Sequence, residues 1–76
     1  MREEIEKLLT EKFPEVNFNE SSTLVDDEIL DSFKITQIIA LLSKTYGIRI
    51  PFTEIKNENL NSLDAICAMV ERIKNA

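Results

Sequence analysis

The sequence predicts an all-α fold, a small four-helix bundle with three main helices, one short helix and a long first loop. Apolar residues recur at helical steps of three and four in several segments of the chain. One glycine and two prolines in 76 residues leave little material for tight turns between strands. Residues 1–76 are therefore expected to form a single domain.

The first helix is expected to run from Arg2 to Phe13, because Pro14 disfavours helical geometry at the residue before it. Its apolar face is formed by Ile5, Leu8, Leu9 and Phe13. From Glu15 to Leu30 the apolar residues follow no sustained helical or strand period. Several Asn and Ser side chains in this segment compete for backbone hydrogen bonds, so a long loop is predicted. Its expected anchors in the core are Phe18, Leu24, Ile29 and Leu30.

The second helix is the most clearly marked element. Asp31 is a good N-cap, and the chain continues without a breaker to Gly47, a natural residue just beyond a helix end. The core face is expected to hold Ile35, Ile38, Ile39, Leu42 and Tyr46, with the Tyr46 hydroxyl free to reach water. The opposite face is expected to hold Phe33, Gln37, Ala40 and Lys44.

The last third of the chain predicts a linker, a short turn and a final helix. Ile48 and Ile50 alternate as in a strand, but no partner strand is visible, so an extended linker is expected. Pro51 then opens a short helical turn, "FTEIK", and "NENLN" is predicted to be a loop. Asn61 or Ser62 caps the last helix, whose apolar stripe is Leu63, Ile66, Cys67, Val70 and Ile73.

The charge and the residue types exclude several functions. A net charge of −5 repels phosphate backbones, so nucleic acid is not an expected partner, whereas proteins with basic surfaces are. No apolar run is long enough to span a membrane, and "MREEIEKLL" is unlike a signal peptide, which predicts a cytoplasmic protein. A single cysteine agrees with a reducing compartment.

Catalysis by this chain is not expected. Without histidine and with one cysteine, the sequence has no Ser-His or Cys-His pair and no structural zinc site. Cys67 lies on the core stripe of the last helix, where an inert buried thiol is expected.

Ser32 is the main candidate for a functional residue. It follows the cap Asp31 at the first helical position, beside unpaired backbone N–H groups at the positive end of the helix dipole. This position suits a serine that carries a phosphodiester better than a serine that attacks a substrate. The alternative is that "DS" is an ordinary helix-start pair.

The whole chain resembles the acyl carrier protein family. The motif Asp31-Ser32-Phe33, the stretch "YGIRIP" after the second helix and "SLDAI" in register carry the resemblance. It implies a four-helix carrier in which Ser32 receives a covalent 4′-phosphopantetheine arm from a phosphopantetheinyl transferase, with Asp31 and Phe33 flanking the site. The thiol of the arm would hold acyl or aminoacyl cargo as a thioester for biosynthetic enzymes of lipid, fatty acid, polyketide or peptide pathways.

The chain departs from bacterial fatty-acid carriers in its charges. Its second helix contains no Asp or Glu, and Lys34, Gln37 and Lys44 stand where acidic docking residues are common. The acidic residues lie instead in the preceding loop, at Asp26, Asp27, Glu28 and Asp31. This cluster is either an ordinary solvated loop or a recognition site for the transferase. The cluster lacks the pattern of an EF-hand, so no metal is expected there.

Two stretches, "ILDSFKITQ" and "IPFTEIKNENLNSLDAI", look more like D-alanyl carrier proteins. Leu60 and Leu63 depart from that subfamily, which often has Trp and Pro at these positions. A D-alanyl carrier, a peptidyl or polyketide carrier and an unmodified helical interaction module therefore stay open as alternatives.

The expected docking residues are Asp26, Asp27, Glu28, Lys34, Gln37, Leu41 and Lys44. The expected partners are the transferase and a cargo-loading ligase or synthase, and the chain is expected to be a monomer. The bulky, mostly β-branched core predicts a small or solvent-exposed cargo.

Overall fold

The structure, a computed structural model, describes residues 2–76; Met1, the first residue of the predicted domain, lies outside the described residues. The elements are α1 (Arg2–Lys12), α2 (Ser32–Tyr46), a 3-10 turn (Phe52–Glu54), α3 (Asn57–Leu60) and α4 (Leu63–Lys74). Residues 2–76 contain helices and turns and no strand. The predicted all-α four-helix architecture is confirmed.

Helices α1, α2 and α4 close on one core because each presents an apolar face of helical spacing, and α3 adds the side chain of Leu60. The fully buried helical residues are Ile5 and Leu9 of α1, Ile38 and Leu42 of α2, Leu60 of α3, and Leu63, Ile66, Met69 and Val70 of α4. Helix α4 packs against both α1 and α3. Helix α2, which begins with the serine, joins the same core through Ile38 and Leu42.

The two ends of α2 follow the predicted signals. Asp31 caps the N-terminus in an extended conformation, and Gly47 ends the helix in the left-handed conformation, with φ of 61° and its N–H bonded to the carbonyl of Ser43. Gly47 is suited to this position because a residue without Cβ adopts positive φ at little cost. Ser62 caps α4 in the same way as Asp31 caps α2.

The loop between α1 and α2 is largely anchored as expected, with one error. Phe18, Leu24 and Leu30 are buried, whereas Ile29 is 37% exposed, so the prediction of Ile29 as a core anchor is wrong. Its neighbour Leu30, whose N–H bonds to the carbonyl of Leu24, takes the core position instead.

Two further predictions differ from the structure. "NENLN" was expected to be a loop, but Asn57–Leu60 forms α3 because Leu60 is buried and Asn59 donates a hydrogen bond to the backbone oxygen of Glu54 at 2.7 Å. The hydroxyl of Tyr46 was expected to reach water, but it donates to the carboxylate of Glu4. The ring also has the ammonium of Lys74 5.6 Å from its centroid, so Tyr46 joins three helices.

Candidate functional site

Ser32 is the first residue of α2 and is exposed to solvent. Its position is fixed by Asp31, whose side chain accepts a hydrogen bond from the N–H of Lys34 at 2.8 Å and whose carbonyl accepts from Ile35 at 2.9 Å. The carbonyl of Ser32 accepts a further bond from the hydroxyl of Thr36 at 2.8 Å. The backbone is therefore well held while the hydroxyl faces water at the positive end of a 15-residue helix.

An open cleft of about 590 Å³ adjoins this serine. It is lined by Val25, Glu28, Leu30, Asp31, Ser32, Ile35 and Asn57. The lining combines aliphatic side chains with two carboxylates and one amide, so it offers both contact area and polar partners to a flexible polar chain. An accessible hydroxyl beside an open cleft fits the attachment of a phosphodiester-linked arm.

The acidic residues before Ser32 do not form a uniform charged surface. The Asp26 side chain is held in place by two hydrogen bonds, which its carboxylate accepts from the side-chain amides of Asn57 at 3.1 Å and Asn61 at 3.2 Å. Asp27 accepts from the hydroxyl of Thr23. Glu28 has φ of 61°, the left-handed conformation that favours glycine or asparagine. The side chain of Glu28 lines the cleft with Asp31 and Ser32, so these three predicted site residues are brought together.

The predicted docking residues of α2 are less exposed than their helical positions suggested. Phe33 is 70% exposed beside Ser32, and Lys44 is exposed near the far end. Lys34 is half-buried, with its ammonium 3.8 Å from a carboxylate oxygen of Glu15 and 3.5 Å from the carbonyl of Ile29. Gln37 and Leu41 are also half-buried, and Leu41 packs partly against the core. Lys44 is thus the most accessible docking residue of α2, and Phe33, which flanks Ser32, is exposed as well.

Sequence reasoning missed two residues near the site, Asn57 and Asn61. Asn61 was considered as a cap for the last helix, and Asn57 lay in a segment expected to be a loop. Both contact the acidic loop across more than thirty residues of sequence, a separation of 31 for Asn57 and 35 for Asn61. No local pattern signals such pairs.

The rest of the described chain offers no second candidate site for a reactive thiol or a metal ion. Cys67 is buried in α4, and this burial raises the pKa of its thiol, as expected for an inert core cysteine. From Arg2 to Ala76, no cluster of acidic or cysteine side chains is arranged to hold a metal ion. The helices in this part of the chain are too short or too polar to cross a bilayer.

A small helical bundle that presents an exposed serine at the start of its second helix has the architecture of a carrier domain. The chain matches the family model described as the phosphopantetheine attachment site over residues 1–70. It therefore belongs to the phosphopantetheine-binding carrier family. Members of this family carry a covalent 4′-phosphopantetheine group and are cargo carriers rather than enzymes, so the predictions of the cofactor and of a non-catalytic chain are confirmed.

The curated relatives include D-alanyl carrier proteins of Streptococcus pyogenes. Those of serotype M5 (strain Manfredo), serotype M49 (strain NZ131) and serotype M1 are each 26% identical to this chain over 77 aligned residues. The alignments cover 95% of this chain and 98% of each relative. No solved structure gives a significant match to the chain.

Proposed function

We propose that Ser32 is the residue to which the 4′-phosphopantetheine arm is attached, and that residues 1–76 act as one carrier domain. The arm supplies a terminal thiol that holds acyl or aminoacyl cargo as a thioester and presents it to biosynthetic enzymes in turn. The exposed Ser32 hydroxyl, held by the Asp31 cap beside an open cleft, is the observation that carries this proposal. The N-terminus of α2 favours the negative charge that a phosphodiester brings.

Mass spectrometry of protein incubated with coenzyme A and a phosphopantetheinyl transferase tests this attachment. Wild type should gain the mass of one arm, and Ser32→Ala should gain none. Ser62→Ala is a matched control, because Ser62 also stands at the start of a helix and its hydroxyl caps α4. Attachment at another residue would contradict the proposal. The absence of any arm on wild type would favour the unmodified interaction module.

An aminoacyl cargo, D-alanine among the candidates, is favoured over a long acyl chain. The relatives are D-alanyl carriers, and the two departures from that subfamily, Leu60 and Leu63, are both fully buried in the core rather than placed in the cleft beside Ser32. These departures therefore do not count against an aminoacyl cargo. A peptidyl or polyketide carrier of a specialised pathway is the alternative.

Charging assays with the arm-bearing protein distinguish these cargos. A ligase that activates D-alanine should charge wild type and leave Ser32→Ala uncharged. An acyl ligase given octanoate should charge wild type poorly. Efficient charging with octanoate and none with amino acids would contradict the aminoacyl assignment.

Two separate surfaces are proposed for the partners. The transferase contacts the loop before Ser32, where Asp27 and Glu28 are exposed, and the cargo-loading ligase or synthase contacts Phe33 and Lys44 of α2. Apolar and acidic groups on the loading partner complement an aromatic ring and a cation. A monomeric state and a cytoplasmic location stay predictions from the sequence.

A further inference from the structure

Asn61 binds the start of the acidic loop with both its backbone and its side chain. Its carbonyl accepts from the N–H of Leu24 at 2.8 Å, and its Oδ1 accepts from the N–H groups of Val25 at 2.9 Å and Asp26 at 3.1 Å. These three consecutive N–H groups open the single turn at residues 24–28 and have no partner within it, as in the first turn of any helix. Asn61 therefore caps this turn from a distant part of the chain.

The amide nitrogens complete the connection. Nδ2 of Asn61 donates to one oxygen of the Asp26 carboxylate at 3.2 Å, and Nδ2 of Asn57 donates to the other at 3.1 Å. Asp26 thus bridges the two ends of α3, since Asn57 begins this helix and Asn61 follows it. With two hydrogen bonds to amides, the carboxylate is committed to a structural role.

The turn held by Asn61 leads directly to Ser32. The N–H of Leu30 returns to the carbonyl of Leu24 at 2.9 Å, and the buried side chain of Leu30 fixes the chain one residue before Asp31. Any displacement of residues 24–26 therefore changes the wall of the cleft at Val25 and Glu28, beside the serine.

From these contacts we infer that Asn61 is a positioning residue for arm attachment, which holds the acidic loop through Asp26 so that Asp27, Glu28 and Asp31 meet the transferase in one arrangement. The inference rests on the proposed role of Ser32. It reassigns Asp26 from a docking residue to the anchor of the docking segment.

An exchange of the two side chains separates geometry from charge. Asp26→Asn replaces one acceptor oxygen by an NH2 group, which then faces the donor of either Asn57 or Asn61, and Asn61→Asp faces two carboxylates against each other. The double variant Asp26→Asn/Asn61→Asp restores every donor–acceptor pair while moving the negative charge to position 61. Rescue in the double variant is therefore a signature of positioning.

The rate of arm transfer to residues 1–76 by a phosphopantetheinyl transferase is the main readout. We expect kcat/KM to fall about tenfold in Asn61→Ala and in each single exchange, chiefly through KM, which corresponds to about 1.4 kcal/mol. The double variant should return to within about twofold of wild type. Amide hydrogen exchange at Val25 and Asp26 should be faster in the single variants and return to the wild-type rate in the double variant.

Asn59→Ala is the control for a loss of stability alone. Asn59 also lies on α3, but its side-chain amide donates to Glu54, away from the acidic loop. Asn59→Ala should therefore lower the free energy of unfolding and leave kcat/KM for arm transfer unchanged. Equal slowing in Asn59→Ala and Asn61→Ala would overturn the inference. So would a double variant as slow as Asp26→Asn, because the transferase would then read the charge at position 26.

Failure of the inference and failure of the proposed function give different results. Wild type that accepts the arm on Ser32, with all Asn61 variants modified equally fast, overturns the inference alone. Wild type that accepts no arm overturns both.

Discussion

Oδ1 of Asp31 lies 2.8 Å from the backbone nitrogen of Lys34 and accepts its hydrogen bond, which makes Asp31 the N-cap of the helix that begins with Ser32. One side chain thereby has two possible roles, the stabilisation of α2 and the presentation of a negative charge next to the serine. The bond itself needs only an oxygen acceptor, whereas recognition by a basic enzyme needs the charge.

Substitution of Asp31 separates these roles. Asp31→Ala should lower the free energy of unfolding by about 1 kcal/mol and slow arm transfer, whereas Asp31→Asn should retain the stability, since Asn caps as well as Asp, and still slow transfer. Urea denaturation and transfer kinetics measure the two effects. Ser62→Ala, which removes the equivalent cap of α4, should lose similar stability without slower transfer. Unchanged transfer in Asp31→Ala would leave Asp31 as a structural cap.

The parts of the fold that the sequence predicted well depend on local signals. Helix α2 is bounded by a cap and a glycine within its own sequence, and Ser32 is located by the same cap. Helix α3 was missed because four residues carry too little pattern; it forms through the burial of Leu60 and through the bond from Asn59 to Glu54.

The arrangement around Ser32 was predicted less completely, because it depends on contacts between distant segments. Asp26, Asp27 and Glu28 look equivalent in the sequence, yet the structure bonds Asp26 to two asparagines and places Glu28 in the cleft. Lys34 and Lys44 also look equivalent on α2, but the former lies beside Glu15 of the first loop.

Neutralising the two exposed acids of the loop should slow arm transfer and spare cargo loading. Asp27→Asn/Glu28→Asn is the suitable double variant, because asparagine tolerates the left-handed conformation found at Glu28 and adds no backbone strain. Transfer and loading rates are compared with those of Glu3→Gln/Glu11→Gln, which removes two exposed acids of α1. Equal slowing in both variants would indicate an effect of net charge rather than of this loop.

Reversing the charge of Lys44 should have the opposite effect. Lys44→Glu should weaken charging by the loading ligase and leave arm transfer unchanged, because it places a negative charge where the proposed partner presents acidic groups. Lys7→Glu is the control, since Lys7 is equally exposed but lies on α1. A gain in charging, or the same loss in both variants, would contradict docking along α2.

The single tyrosine gives the protein a predictable response to high pH. Burial and, after it, the hydrogen bond to Glu4 together raise the pKa of Tyr46 from 10.0 to about 12. The folded state therefore binds the proton more tightly than the unfolded state, so this stabilisation is complete below about pH 10 and is lost as the pH rises towards about 12. Absorbance of tyrosinate measures the pKa directly. Tyr46→Phe should show a smaller loss of stability over that interval, and an equal loss would exclude this contribution.

The core should remain closed when cargo is attached. Ile38 and Ile66 are fully buried, and β-branched side chains in close packing are costly to displace. Ile38→Ala should accordingly lower the free energy of unfolding by about 2–5 kcal/mol. An octanoyl chain on the arm should therefore leave the methyl chemical shifts of Ile38 and Ile66 close to those with the bare arm. Ile35, which lines the cleft beside Ser32, serves as the internal comparison, because its methyl groups should respond to any cargo that lies in the cleft. Large shifts at Ile38 and Ile66 would mean that the helices open to admit an acyl chain, and would count against a small cargo.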